Sequence, residues 1–207
     1  MTAATNINQK TMTAVVFSTK LKTETTSTRK KLLEAAKELF HQQGIAGTTI
    51  ASLAKTSGVP LGNVYYHFRS KDLLLEAVLE AHKADIQNDL EMYNRESSPM
   101  KRLKALIRDS EHNLQLLTEH GCPYASLAQR LRDEGNPLAD QAGGLLGLYI
   151  NFASEQFVQL GKIEARDLAA DFIAQLYGAY TLANSTGDSK FLKRQLKRLE
   201  AWLERTV

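Results

Sequence analysis

From Arg29 to the C-terminus the apolar residues recur at helical spacing, and strand-like alternation never runs over a useful length. The first segment, STRKKLLEAAKELFHQQG, shows the pattern. Leu32, Leu33, Ala36, Leu39 and Phe40 fall at i, i+1, i+4, i+7 and i+8 and so share one stripe of a helix. Ser27 or Thr28 can cap that helix, and Gly44 can end it. A chain patterned in this way folds as all-α. At 207 residues it can bury a sizeable core in one or two domains. No apolar run reaches the roughly 18 residues a membrane span needs, and the N-terminus lacks the pattern of a secretory signal. The single cysteine, Cys122, cannot close a disulfide within the chain, which fits a reducing cytoplasm.

The stretch TIASLAKTSGVPLGNVYYHF, residues 49–68, holds two helices too short to serve as ordinary core elements. Thr49 precedes Ile50 and can cap the first, whose buried stripe is Ile50, Leu53 and Ala54. Gly58 can take a positive φ and turn the chain sharply, and Pro60 suits the start of the next helix. Val64 and Phe68, four apart, form the apolar side of that second helix. Leu61, Gly62, Asn63, Tyr65, Tyr66 and His67 then point mostly away from it, although one of the two tyrosines is expected to pack on the first helix. Two short helices joined by a tight turn, the second held by a narrow stripe, make a helix-turn-helix with a reading helix for the DNA major groove. Asparagine can read adenine N6 and N7, while tyrosine and histidine can reach phosphate oxygens.

Charge points the same way. Residues 1–72 carry ten Lys and Arg against four Asp and Glu, whereas residues 73–207 carry sixteen against nineteen. A basic first third on a mildly acidic body suits a polyanionic partner, although six net charges can also be a solvated face.

With these residues in view, TTIASLAKTSGVPLGNVYYHFRSKDLL resembles the DNA-binding domain of the tetracycline-repressor (TetR) family of bacterial transcription regulators. The resemblance runs from near Arg29 to about Leu75. It rests on ELFHQQG, on T-T-I-x-x-L-A, on the S-G-V turn, on V-Y-Y-H-F and on S-K-D-L-L, in the family's order and spacing. It implies phosphate contacts for Thr48 and Thr49, base-edge contacts for Gly62 and Asn63, backbone contacts for Tyr65 and His67, and a phosphate contact for Lys71. Two positions depart from the family pattern. Leu61 stands where lysine is frequent, so an apolar contact to a thymine methyl replaces a cationic one. Ser52 stands where an acidic residue completes a capping box, which serine does more weakly.

Three parts are expected, the first from its composition and the other two from the resemblance. Residues 1–27, rich in Thr, Asn, Ser and Lys, form a flexible arm; 28–72 form the three-helix DNA-binding domain; 73–207 form a helical ligand-binding and dimerisation domain. About nine helices are expected. Ser70 caps the fourth, whose stripe runs through Leu74, Val78 and Ala81 to Leu90. One helix runs from Pro99 past Leu117, a short one follows Gly121, another runs from Asn136-Pro137 to about Leu160, and two more cover roughly 166–185 and 189–205. Tyr124, Tyr149, Phe152, Phe172 and Tyr177 are the candidates for an inducer pocket, aromatic core being the alternative. The glycines of QAGGLLGLYINF are read first as close helix packing and second as room for a ligand. The last two helices carry more apolar surface than one bundle needs. The resemblance places Phe172, Leu176, Ala179 and Leu199 in or beside a two-fold interface between copies. Cys122 is read as a buried structural thiol, with nothing basic close by to activate it.

No phosphate-binding glycine loop, HExxH, CxxC or nucleophile elbow is present, so no motif proposes an enzyme, a metal site or a cofactor. The expected protein is a homodimeric repressor of a double-stranded operator, released by a small-molecule inducer. The alternative is an architectural DNA binder without ligand control, which would leave the large C-terminal body without a task.

Overall fold

In a computed structural model, which describes the backbone of residues 6–207 and the side chains of 27–207, every element is helical. Ten helices follow in order: α1 (Asn6–Gly47), α2 (Ile50–Ser57), α3 (Leu61–His67), α4 (Lys71–Asn94), α5 (Pro99–His112), α6 (Leu114–His120), α7 (Pro123–Asp133), α8 (Ala139–Gln159), α9 (Ala165–Thr186) and α10 (Ser189–Thr206). The chain divides into two units, residues 1–78 and 79–207. Residues 1–5 of the expected arm lie outside the described residues, as do the side chains up to residue 26. The backbone is already helical at Ser27 and Thr28, so neither is the cap. No glycine or proline stands between Asn6 and Phe40 to end the helix earlier. Gly44, at φ 74° and ψ 172°, breaks α1 near its end, where the stripe also stops.

In the first unit Leu32, Ala36, Leu39 and Phe40 of α1 are buried together with Leu53, Val59, Val64, Phe68, Leu74 and Leu75. Ser70 caps α4, its hydroxyl accepting from the Leu73 amide at 3.2 Å.

In the second unit the helix expected from Pro99 past Leu117 is two, α5 and α6. They part at Asn113, whose side-chain amide donates to the Asp109 carbonyl at 3.0 Å. Asparagine competes with the helix for backbone groups in this way, and the chain bends there. Cys122 is the N-cap of α7: it is buried, and its Sγ accepts from the Ala125 amide at 3.5 Å. Asp188 caps α10 by accepting from the Phe191 amide at 2.8 Å.

The core of this unit corrects three expectations. Phe172 is fully buried within one chain, stacked on Trp202 at 6.4 Å, and Leu176 is almost as enclosed. Neither is free to meet a second copy. Ala179 and Leu199 are also buried, but they border a shallow groove with Gly178, Leu182 and Gln195. A helix that is apolar nearly all round meets its own neighbours first, and spacing alone does not say which face is left. Phe152 belongs to the core as well, edge-on to Tyr93 at 6.1 Å. Finally, the glycines of α8 do not mediate close packing. A Cβ on Gly144 or Gly147 would meet nothing within 4 Å, and one on Gly143 only the end of Arg132 at 3.9 Å.

Candidate functional site

Each of the two short helices of the first unit is fixed at its ends. Thr49 and Ser52 form a reciprocal box: the Ser52 amide donates to Thr49 Oγ1 at 3.0 Å, and the Thr49 amide to Ser52 Oγ at 2.9 Å. Serine therefore completes the box in place of the acidic residue. Gly58 closes α2 in the left-handed conformation, φ 67° and ψ 16°. Pro60 sits at the N-cap of α3 with φ −54°, and its carbonyl accepts from the Asn63 amide at 2.8 Å. Val64 and Phe68 then pin α3 to the core, and the Arg29 guanidinium covers the Phe68 ring at 5.4 Å.

The pinning leaves one side of α3 outward. Leu61 is 48% exposed, Tyr65 54% and Tyr66 77%, with Gly62 and Asn63 exposed beside them. Neither tyrosine packs on α1, against expectation, because Val64 and Phe68 already fill the inward side; Tyr66 meets only the edge of His67, at 5.3 Å. Thr48 does not belong to this surface. It is buried, and its hydroxyl donates to the Gly44 carbonyl at 2.8 Å, closing the break in α1. Thr49 is exposed at the start of α2. The Lys71 ammonium reaches the Ala46 carbonyl at 3.5 Å, so it lies over the end of α1. Sequence reasoning missed Arg29. Its position three residues before the first stripe was legible, but its partner Phe68 lies far along the chain.

The second unit contains a cavity of about 360 Å³. Of the five aromatic candidates, Tyr124, Tyr149 and Tyr177 line it, while Phe152 and Phe172 do not. Tyr93, Tyr180, Asp89, Asp109 and Ser110 join the lining, none of them foreseen. Their signal was polar residues set beside apolar stripes, as in LIRDSEH. Ser110 donates to the Leu106 carbonyl at 2.8 Å and shares a hydrogen bond with the Tyr180 hydroxyl. Burial raises the pKa of all five tyrosines, which stay neutral. Burial also pushes the Cys122 thiol up to about 11, so it is a poor nucleophile at neutral pH. Among the described residues no cluster suited to a metal ion occurs, and no helix is long and apolar enough to cross a membrane.

The exposed side of α3 and the capped turn define a helix-turn-helix protein. Residues 32–78 match the family profile described as bacterial regulatory proteins, tetR family. The chain is 40% identical over 60 residues to the HTH-type transcriptional regulator TtgR of Pseudomonas putida, a match covering 29% of each chain. It is 26% identical over 166 residues to the HTH-type transcriptional regulator LmrA of Bacillus subtilis (strain 168), covering 78% of this chain and 88% of LmrA. The first of these matches therefore spans less than a third of the relative's length. Among solved structures, a TetR-family transcriptional regulator from Agrobacterium tumefaciens superposes with a TM-score of 0.75 at 20% identity, covering 87% of this chain and 98% of that one. Residues 32–78 thus match the tetR family of bacterial regulatory proteins, and over most of its length the chain shares the fold of TetR-family regulators.

His67 offers a check on the site's geometry. Its pKa is held below 6.5, first by burial and then by the Arg29 charge. A histidine with a lowered folded-state pKa binds its proton more readily when unfolded, so its contribution to stability is present above pH 6.5 and is lost as the pH falls below it. In an NMR titration the His67 imidazole should have its midpoint below 6.5, and Arg29→Gln should move it part of the way back, since burial remains. A parent midpoint at or above 6.5 would place Arg29 elsewhere.

Proposed function

We propose that this protein is a transcription repressor. It grips a pseudo-palindromic operator as a homodimer in the cytoplasm and lets go when a small molecule occupies its second unit. The observation that carries the reading is the outward side of α3. A seven-residue helix there presents Asn63, Leu61, Tyr65 and Tyr66 to solvent while Val64 and Phe68 hold it. Exposed large apolar and aromatic groups on a rigid, short helix suit a groove better than they suit water. Asn63 would read a base edge, Leu61 would meet a thymine methyl, and Tyr65, Tyr66, His67, Thr49 and Lys71 would hold the phosphates. Gly62 supports the same reading. Nothing lies within 4 Å of a Cβ placed there, so the free fold has room for a side chain. Close approach of a partner's backbone or bases accounts for its absence.

A palindromic operator calls for two copies about one helical turn apart, roughly 34–36 Å. The exposed remainder of α9 and α10, where Gly178 and Leu182 border a groove with Gln195 and Arg198, is the surface for that pairing. The inducer would occupy the 360 Å³ cavity and favour a state with the wrong spacing between reading helices. The cavity favours this reading over an architectural DNA binder.

Asn63→Ala should cost about 1–3 kcal/mol on the best operator and relax the preference at one base pair, read by competition binding across operator variants at fixed salt. An unchanged preference removes Asn63 from the readout. Leu182, 54% exposed, allows a test of pairing that leaves the core intact. In sedimentation the parent should run as a dimer without DNA at micromolar concentration, and Leu182→Glu should shift it to monomer with its thermal midpoint nearly unchanged. A monomeric parent contradicts the two-fold arrangement.

A further inference from the structure

The cavity of the second unit is walled by one chain of rings. The centroids of Tyr124 and Tyr149 lie 6.2 Å apart, those of Tyr149 and Tyr177 6.4 Å, and those of Tyr177 and Tyr180 5.3 Å. Asp89 and Tyr93 enter from α4 and Asp109 from α5. Among the described residues that line the space there is no Lys, Arg or His. His82 packs edge-on against Tyr124 at 5.1 Å without lining the cavity. The polar groups largely satisfy one another: the Tyr180 hydroxyl meets Ser110, Tyr93 hydrogen-bonds Asp109, Tyr124 hydrogen-bonds Tyr149, and Asn113 Nδ2 donates to Asp109 at 3.4 Å. No cationic side chain in the lining faces the two aspartates; Asp89 is half-buried, and Asp109, exposed at the rim, accepts from Tyr93 and Asn113. Burial first, and then the charges of Asp109 and Asp85, raise the pKa of Asp89.

We infer that this cavity takes an organic cation, an ammonium or similar head on a small aromatic or aliphatic body, in place of an acid or a neutral hydrocarbon. The inference rests on the small-molecule reading proposed above and names its ligand class. Tyrosine faces attract a cation through their quadrupoles, most strongly where water is excluded. The carboxylates add attraction to a cation and repel an anion. The volume, about 360 Å³, lies near the low end of small-molecule sites, about 300–1,000 Å³, and so limits the body to a modest size.

The test is calorimetric titration of the full chain with three probes of similar size: benzyltrimethylammonium, its uncharged carbon isostere neopentylbenzene, and phenylacetate. The ammonium ion should bind about tenfold or more tightly than either of the others, the worth of one desolvated cation–π or charge contact. Asp89→Asn should weaken the ammonium by about tenfold and leave neopentylbenzene unchanged. Asp109→Asn serves the same purpose if the first variant does not keep the parent's circular dichroism and Tm. If neopentylbenzene or phenylacetate binds as well as the ammonium, the cation assignment falls while the small-molecule reading stands. A folded aspartate variant that holds the ammonium as tightly as the parent also overturns the assignment. If none of the probes binds at millimolar concentration, the inference and the small-molecule reading fall together.

Discussion

Nucleating an α-helix fixes several residues for one hydrogen bond, so a seven-residue helix such as α3 does not persist in water by itself. What holds it is the insertion of Val64 and Phe68 into a core built on α1 and α2. The outward face depends on that insertion: two inward side chains four apart leave Leu61, Gly62, Asn63, Tyr65 and Tyr66 on the other side. The turn before it supplies the angle, through the left-handed Gly58 and the fixed φ of Pro60. Arg29 then seals the joint, lying over Phe68, and its charge adds to burial in lowering the pKa of His67.

Local chemistry was legible from the chain alone. Thr49, Gly58, Ser70, Pro99 and Gly44 mark element ends because capping and turning are decided within a few residues. The stripe of α1 was legible for the same reason. What spacing could not convey is which of several apolar faces a helix buries at home. Phe172 and Leu176 sit on faces that looked surplus, yet Trp202 and the neighbouring helices consume them. Thr48 looked like a second helix-start threonine, but the break at Gly44 turns its hydroxyl inward. Asn113 was read as part of a continuous helix because its competing bond to Asp109 leaves no gap in the apolar pattern.

The cavity of the second unit shows a related limit. Tyrosines at helical spacing are as consistent with core as with a pocket, and Phe152 and Phe172 went to the core. Tyr124, Tyr149 and Tyr177 border space because the polar and acidic groups facing them, Asp89, Asp109 and Ser110, cannot close over it without losing their hydration or partners. Those groups come from α4 and α5, and the tyrosines from α7, α8 and α9, so no local window joins them.

The proposal that the outward side of α3 reads duplex DNA in a paired protein meets its most direct test in selection from random double-stranded DNA by the full chain, followed by sequencing. The account predicts enrichment of one pseudo-palindrome whose half-sites lie about 10 base pairs apart, or a multiple of that spacing. Enrichment of no sequence, or of a single unpaired half-site, would contradict it.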